Sequence, residues 1–251
     1  MTEKYTKKKK SSVLYRIITV ILLIIIAVSG FQIGKILYGY HKGTSEYKKT
    51  AETAHKDGID HGVDWDALLK MNPDIKAWLY QEDSVIDFAI VQSTDNEHYL
   101  YRLIDGTWNS MGTPFVDYRC KDPFHEFLTI VYGHRMKNHT VFWYLADYRN
   151  DPEYYKKHPT LDLYMPEGNY KLKVFAATTV SSDSSRYQFD FSTDEQKQEY
   201  LDWIRQSSTL KTNVKVSIND RIVMFSTCSR EDDKKYGDAR ALVFAKMVKV
   251  K

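Results

Sequence analysis

Cys228 ends an apolar run, Ile222-Val223-Met224-Phe225, inside the phrase Phe225-Ser226-Thr227-Cys228-Ser229. Downstream, Arg240 opens a second run, Ala241-Leu242-Val243-Phe244-Ala245. Both runs have the length and the β-branched and aromatic content of buried strands. Paired as antiparallel neighbours, the end of one meets the start of the other, and a thiol and a guanidinium share one sheet edge. A nucleophile beside a fixed positive charge is what cysteine acyl transfer requires. Two plainer readings of Cys228 stand beside this one: half of a disulfide with Cys120, or an inert buried thiol.

A thiol nucleophile also needs an acid or base partner. The chain has eight histidines. His41, His55 and His61 fall in a polar N-terminal stretch and read as solvated. His98, His125, His139 and His158 stand in polar surroundings with no pattern behind them. His134 differs, because it follows Phe127-Leu128-Thr129-Ile130-Val131-Tyr132-Gly133, an apolar strand ending in glycine. That placement projects a side chain from a strand end; a purely structural histidine is the alternative. The spacing of His134 and His139 suits neither HExxH nor any other zinc pattern, and there is no CxxC, so nothing calls for a metal or another cofactor. Glu231, Asp232 and Asp233 follow Cys228 closely. They orient a histidine, contact a substrate, or form a solvated loop.

The elements that must position these groups are mostly strands. At 251 residues, with 43% hydrophobic residues including 19 Tyr and 11 Phe, the chain is long and apolar enough for one substantial core. Ile75–Tyr80, Val85–Val91, Phe127–Tyr132, Leu161–Met165, Tyr170–Val180, Lys215–Ile218, Ile222–Thr227 and Ala241–Val250 all have strand composition. Helices are signalled from Trp65, with Asp64 as N-cap and Pro73 as stop, near Val141–Tyr148, and after Ser192-Thr193-Asp194-Glu195, which reads as a capping box. Eight short strands with a few inserted helices predict a mainly β domain, a closed or half-closed barrel.

The N-terminus reads differently. Ile17–Ile33 is almost purely apolar and spans about 26 Å as a helix, or about 32 Å counted from Val13, against a hydrocarbon core of about 30 Å. The Lys7–Lys10 cluster precedes it, which places that end in the cytoplasm by the positive-inside rule. Residues 1–33 hold six basic residues and one acid, while the remainder holds 30 basic and 32 acidic, so the basic excess behind the net charge of +3 belongs to this tail and no nucleic-acid surface is expected on the rest. The expected organisation is a basic tail over 1–12, a transmembrane helix over 13–37, a polar stalk over 38–63 and the β domain over 64–251. A cleaved signal peptide is the competing reading of the apolar stretch; either way the folded part is exported.

Tyr132-Gly133-His134 at one strand end, Ser226-Thr227-Cys228 at another, and Arg240 opening the last strand, in that order, resemble the sortase family. Ile86-Asp87-Phe88-Ala89-Ile90-Val91-Gln92, Asp95-Asn96-Glu97-His98-Tyr99-Leu100 and Gly112-Thr113-Pro114-Phe115-Val116-Asp117 point to class B, as does the helix-bearing stretch 190–208. The similarity covers roughly residues 64–251. Two departures are Phe225, where the family commonly has leucine, and the acidic loop Ser229–Ala239.

The resemblance implies an eight-stranded sortase β-barrel and a transpeptidase held at the membrane by the N-terminal helix. Cys228 would attack the carbonyl after threonine in the C-terminal sorting signal of a secreted protein, giving a thioacyl enzyme. An amine of a peptidoglycan precursor or cross-bridge would resolve it. His134 would act as general acid and then base, and Arg240 would hold the oxyanion. Ser226, on the same strand face as Cys228, would line the peptide groove with Thr227 and Glu231. Class membership alone suggests an Asn-Pro-x-Thr-like signal. A thiol protease that only hydrolyses, and a non-catalytic tethered domain that binds wall or partner proteins, are the rival readings.

Overall fold

The computed structural model describes residues 3–56 and 62–250, with side chains from Val13 onward. The side chains of the Lys7–Lys10 cluster, and His61, lie outside this description. Two compact units divide at Lys42 and Gly43. In the first, helix α1 (Glu3–Ala54, which continues into the second unit) carries an apolar stretch whose side chains from Val13 to Leu37 are exposed. Its segment from Val13 is long and apolar enough to cross a membrane.

The second unit is a closed eight-stranded barrel. Its strands are β1 (Ile75–Tyr80), β2 (Asp87–Val91), β3 (Phe115–Val116), β4 (Leu128–Tyr132), β5 (Thr160–Met165), β6 (Gly168–Ser181), β7 (Ile222–Cys228) and β8 (Ala239–Lys249). They run in the order β1-β2-β3-β4-β7-β8-β6-β5, and β1 closes on β5. β4 and β7 are parallel, and β7 and β8 antiparallel. The apolar runs explain this placement. All of β7 but its last residue is buried, as expected for a strand covered on both faces. Phe225 packs edge-on against Phe142, with ring centroids 5.7 Å apart.

The sequence-expected barrel is therefore present, with two strand assignments exchanged. Lys215–Ile218 is not a strand. Val216 is buried, but its carbonyl accepts from Arg205 Nη2 at 2.6 Å, and the Lys215 carbonyl from Lys246 Nζ at 3.1 Å. Side chains take the positions that ladder partners would fill. The eighth strand is the two-residue β3, which pairs parallel to β2 and antiparallel to β4.

The helices follow their caps. α2 (Trp65–Met71) starts where the Asp64 carboxylate accepts from Ala67 N at 2.9 Å. α3 (Pro152–Lys157) is capped by Asp151. α4 (Asp194–Ser207) begins one residue later than the Ser192 box predicts: Thr193 is the N-cap and Gln196 its reciprocal partner. The Val141–Tyr148 helix is a 3-10 segment, Tyr144–Arg149.

The expected stalk is partly structural. Residues 43–56 belong to the barrel unit, with Thr50 and Ala54 buried. Tyr47 donates to the Gly112 carbonyl at 2.8 Å. His55, expected in solvent, is instead mostly buried, with Nε2 2.9 Å from the Asp87 carboxylate, which also accepts from Trp78 Nε1.

The barrel wall at β7 gives a stability prediction. Truncating Phe225 leaves a cavity against Phe142, so Phe225→Ala should lower unfolding stability by about 3–5 kcal/mol, read by urea denaturation. An unchanged midpoint would mean that β7 does not depend on this packing.

Candidate active site

The antiparallel register sets Cys228 directly opposite Arg240. Opposed residues share a face with Cβ atoms about 4.5–5.5 Å apart, so sulfur and guanidinium leave the sheet side by side. On the other flank of β7, parallel pairing sets Tyr132 opposite Ser226. Past the end of that ladder, Gly133 N donates to the Ser226 carbonyl at 3.2 Å and Thr227 Oγ1 to the Gly133 carbonyl at 2.7 Å. The residue before the thiol is thus tied to the residue before His134. Gly133 also leaves room for the Phe142 ring, which a Cβ there would meet at 2.4 Å.

Cys228, His134 and Arg240 line one cleft of about 350 Å³, together with Ser226 and Thr227. The Cys228 thiol is partly exposed and free, and Cys120 is free and buried. Burial pushes the Cys120 thiol up to about 12, which makes it the inert cysteine of the two.

His134 Nε2 lies 2.7 Å from the Leu100 carbonyl oxygen. A carbonyl only accepts, so Nε2 carries a proton and Nδ1 is the nitrogen left for proton exchange. Burial lowers the imidazole below its ordinary value, opposed by the Leu100 bond and aided by the charges of Arg230 and Arg240. The site thus favours a neutral ring.

Arg240 is held by Asp238, whose carboxylate accepts from Nη1 and, at 2.7 Å, from Nη2; Nη1 also donates to the Ala239 carbonyl at 3.1 Å. Among the described residues this leaves Nε–H and one Nη2–H of the five donors unbonded. A guanidinium so fixed can still present two donors to an anionic oxygen.

Glu231 stands elsewhere. It does not line the cleft, and both its carboxylate oxygens are taken by arginines, Oε1 by Arg149 at 2.9 Å and Oε2 by Arg135. The half-exposed carboxylate thus lies in a solvent-facing loop, committed to two arginines rather than turned into the cleft. The sequence reading also missed part of the cleft wall. Tyr187, from the stretch between β6 and α4, shares a hydrogen bond with Ser226 Oγ at 2.9 Å, and burial keeps its phenol protonated. Tyr132 and Asn96 both donate to the fully buried Asp117 carboxylate at 2.9 Å. Burial pushes Asp117 upward, but the bonds from Arg119, Asn96 and Tyr132 prevail and hold it ionised. Asn96 and Tyr132 stood within the family phrases without a role; Tyr187 had no local signal.

No family model matches the chain. Among curated proteins, it is similar to Sortase B of Listeria monocytogenes, 33% identical over 247 residues, spanning 96% of this chain and 99% of the relative. The chain belongs to the sortase B family. Among solved structures it is similar to the Staphylococcus aureus sortase B–substrate complex, 27% identical, TM-score 0.74, spanning 82% of this chain and 96% of that one. Sortase B complexed with triglycine matches likewise, 27% identical, TM-score 0.74, over 82% and 97% of the two chains. The protein is a sortase B-type cysteine transpeptidase with the closed sortase barrel.

The His134 environment predicts a pH effect in this sortase B. A ring whose value is depressed in the fold binds fewer protons than in the unfolded chain, so its contribution to stability is present above about pH 6.5 and lost as pH falls through the folded value. Unfolding stability should decline on acidification below neutrality, and less steeply in His134→Gln. Burial depresses His158 in the same direction, so the difference between the two profiles is the quantity to measure. Parallel profiles would contradict the assignment.

Proposed function

We propose that this sortase B is anchored by its N-terminal helix and cleaves an Asn-Pro-x-Thr-like sorting signal of secreted proteins after threonine. It then joins them to an amine of the cell wall. The observation carrying this reading is the shared cleft of Cys228, His134 and Arg240. The Cys228 sulfur attacks the threonine carbonyl as the thiol proton passes to His134 Nδ1, and the oxyanion forms against the unbonded Nε–H and Nη2–H of Arg240. The carbon–nitrogen bond breaks as His134 gives a proton from Nδ1 to the leaving amine, leaving a thioacyl enzyme. An incoming amine loses its proton to His134 as it attacks the thioester; the carbon–sulfur bond breaks and His134 returns that proton to the Cys228 sulfur. Ser226, with Tyr187, and Thr227 line the groove for the signal.

The two complexes lend support, one sortase B holding substrate and the other triglycine. The apolar stretch from Val13 supports the anchor, with the preceding lysines in the cytoplasm and the barrel outside. An enzyme joining exported proteins to a wall is well served by such a tether.

The test uses the full chain in detergent micelles with Asn-Pro-x-Thr peptides and triglycine. Mass spectrometry should find the peptide joined to triglycine through threonine. Cys228→Ala should abolish the reaction, and Arg240→Ala should lower kcat about 10²–10³-fold. Free acid alone would make the protein a hydrolase, and transfer surviving Cys228→Ala would remove the thiol from the mechanism.

A further inference from the structure

The segment after the nucleophile is held by a set of ion pairs that the chemistry above does not use. Arg149, last residue of the 3-10 segment, has a side chain only 2% exposed. Its Nε donates to the Ala146 carbonyl at 3.1 Å and its Nη2 to Glu231 Oε1 at 2.9 Å. Its Nη1 donates to Thr179 Oγ1 at 2.6 Å and to Asp232 Oδ2. That Asp232 oxygen also accepts from Ser229 Oγ at 2.6 Å. Ser229 directly follows Cys228, is fully buried, and donates its N–H to the Ala239 carbonyl at 2.9 Å. The other end of the set reaches the histidine. Arg135, which directly follows His134, donates Nη1 to Glu231 Oε2, and its guanidinium lies 4.5 Å from the Trp143 ring centroid.

Each carboxylate link is charge-assisted, and the planar fork of Arg149, bonded through all three of its nitrogens, fixes orientation as well as distance. A buried guanidinium is costly unless fully paired, so Arg149 holds the loop only in the geometry that satisfies it. The chain thus ties the residue after His134 to the residue after Cys228 through two carboxylates and two arginines. We propose that Arg135, Arg149, Glu231 and Asp232 form a positioning clamp that holds the His134 imidazole and the Cys228 thiol at their working separation. None of the four lines the cleft, so in this proposal they are positioning residues. The proposal rests on the transpeptidase reading for its catalytic meaning.

Arg149 is so buried that its replacement endangers folding, so the test works through the half-exposed Glu231 and its partner Arg135. Full-length Glu231→Gln, Arg135→Ala and Arg135→Lys are compared with wild type in micelles for thermal melting, peptide transfer and alkylation of Cys228 by iodoacetamide. The clamp predicts a loss of about 10- to 100-fold in kcat for Glu231→Gln and Arg135→Ala, since small displacements of reacting groups carry penalties of that size. KM should stay within about two-fold of wild type in both. Arg135→Lys, which keeps a cation opposite Glu231, should recover most of what Arg135→Ala loses. An unchanged kcat in folded Glu231→Gln and Arg135→Ala overturns the clamp. A rise in KM alone also overturns it and makes Glu231 a substrate contact. Alkylation uses no peptide. If wild type transfers no sorting peptide, the transpeptidase reading falls by itself, and the alkylation rate decides the clamp: slower in both variants supports it, unchanged overturns it.

Discussion

Three adjacent strands carry the site, and their hydrogen-bonded register is the constraint on which the rest depends. β7 lies between β4, parallel to it, and β8, antiparallel to it. The antiparallel pairing puts Arg240 across from Cys228, and the parallel pairing brings the end of β4 to Ser226 and Thr227. A slip of one residue on either side would turn every side chain of the slipped strand to the opposite face. The burial of nearly all of β7 and the lack of room beside Gly133 make such a slip expensive. Packing far from any reacting atom therefore decides where the sulfur, ring and guanidinium emerge.

Electrostatics then completes what register begins. Arg240 is steered by Asp238, Arg135 by Glu231, and Arg149 by both Glu231 and Asp232. Burial and neighbouring arginines favour a neutral His134, while the Leu100 carbonyl sets its tautomer. On the opposite wall, Asp117 gathers Asn96 and Tyr132. The cleft is thus lined by groups whose orientations are fixed by ionised partners behind them, an arrangement that lowers the reorganisation needed when charge develops on a substrate oxygen.

Much of this was legible in the sequence where a local signal existed. Short stretches rich in apolar, β-branched and aromatic residues marked β1, β4, β7 and β8, and the strand-end positions of Cys228, His134 and Arg240 followed from them. The two-residue β3 is too short to show any period, while Val216 gave Lys215–Ile218 an alternation that side-chain hydrogen bonds, not a ladder, satisfy. Residues 43–56 read as part of a polar stalk because their docked face is narrow, with Thr50 and Ala54 among its buried contributions. The pairing of Glu231 was not legible for a different reason. Its partners lie 82 and 96 residues away along the chain, and no local pattern reports a pairing at that separation.

The central claim is that the Cys228 sulfur is the acyl carrier. Intact-mass spectrometry of the full chain, mixed with an Asn-Pro-x-Thr peptide and no added amine, tests it most directly. A thioacyl adduct bearing the peptide up to threonine should accumulate on Cys228 and disappear when triglycine is added. Cleavage without any adduct on Cys228, or an adduct carried by Cys120, would contradict the account.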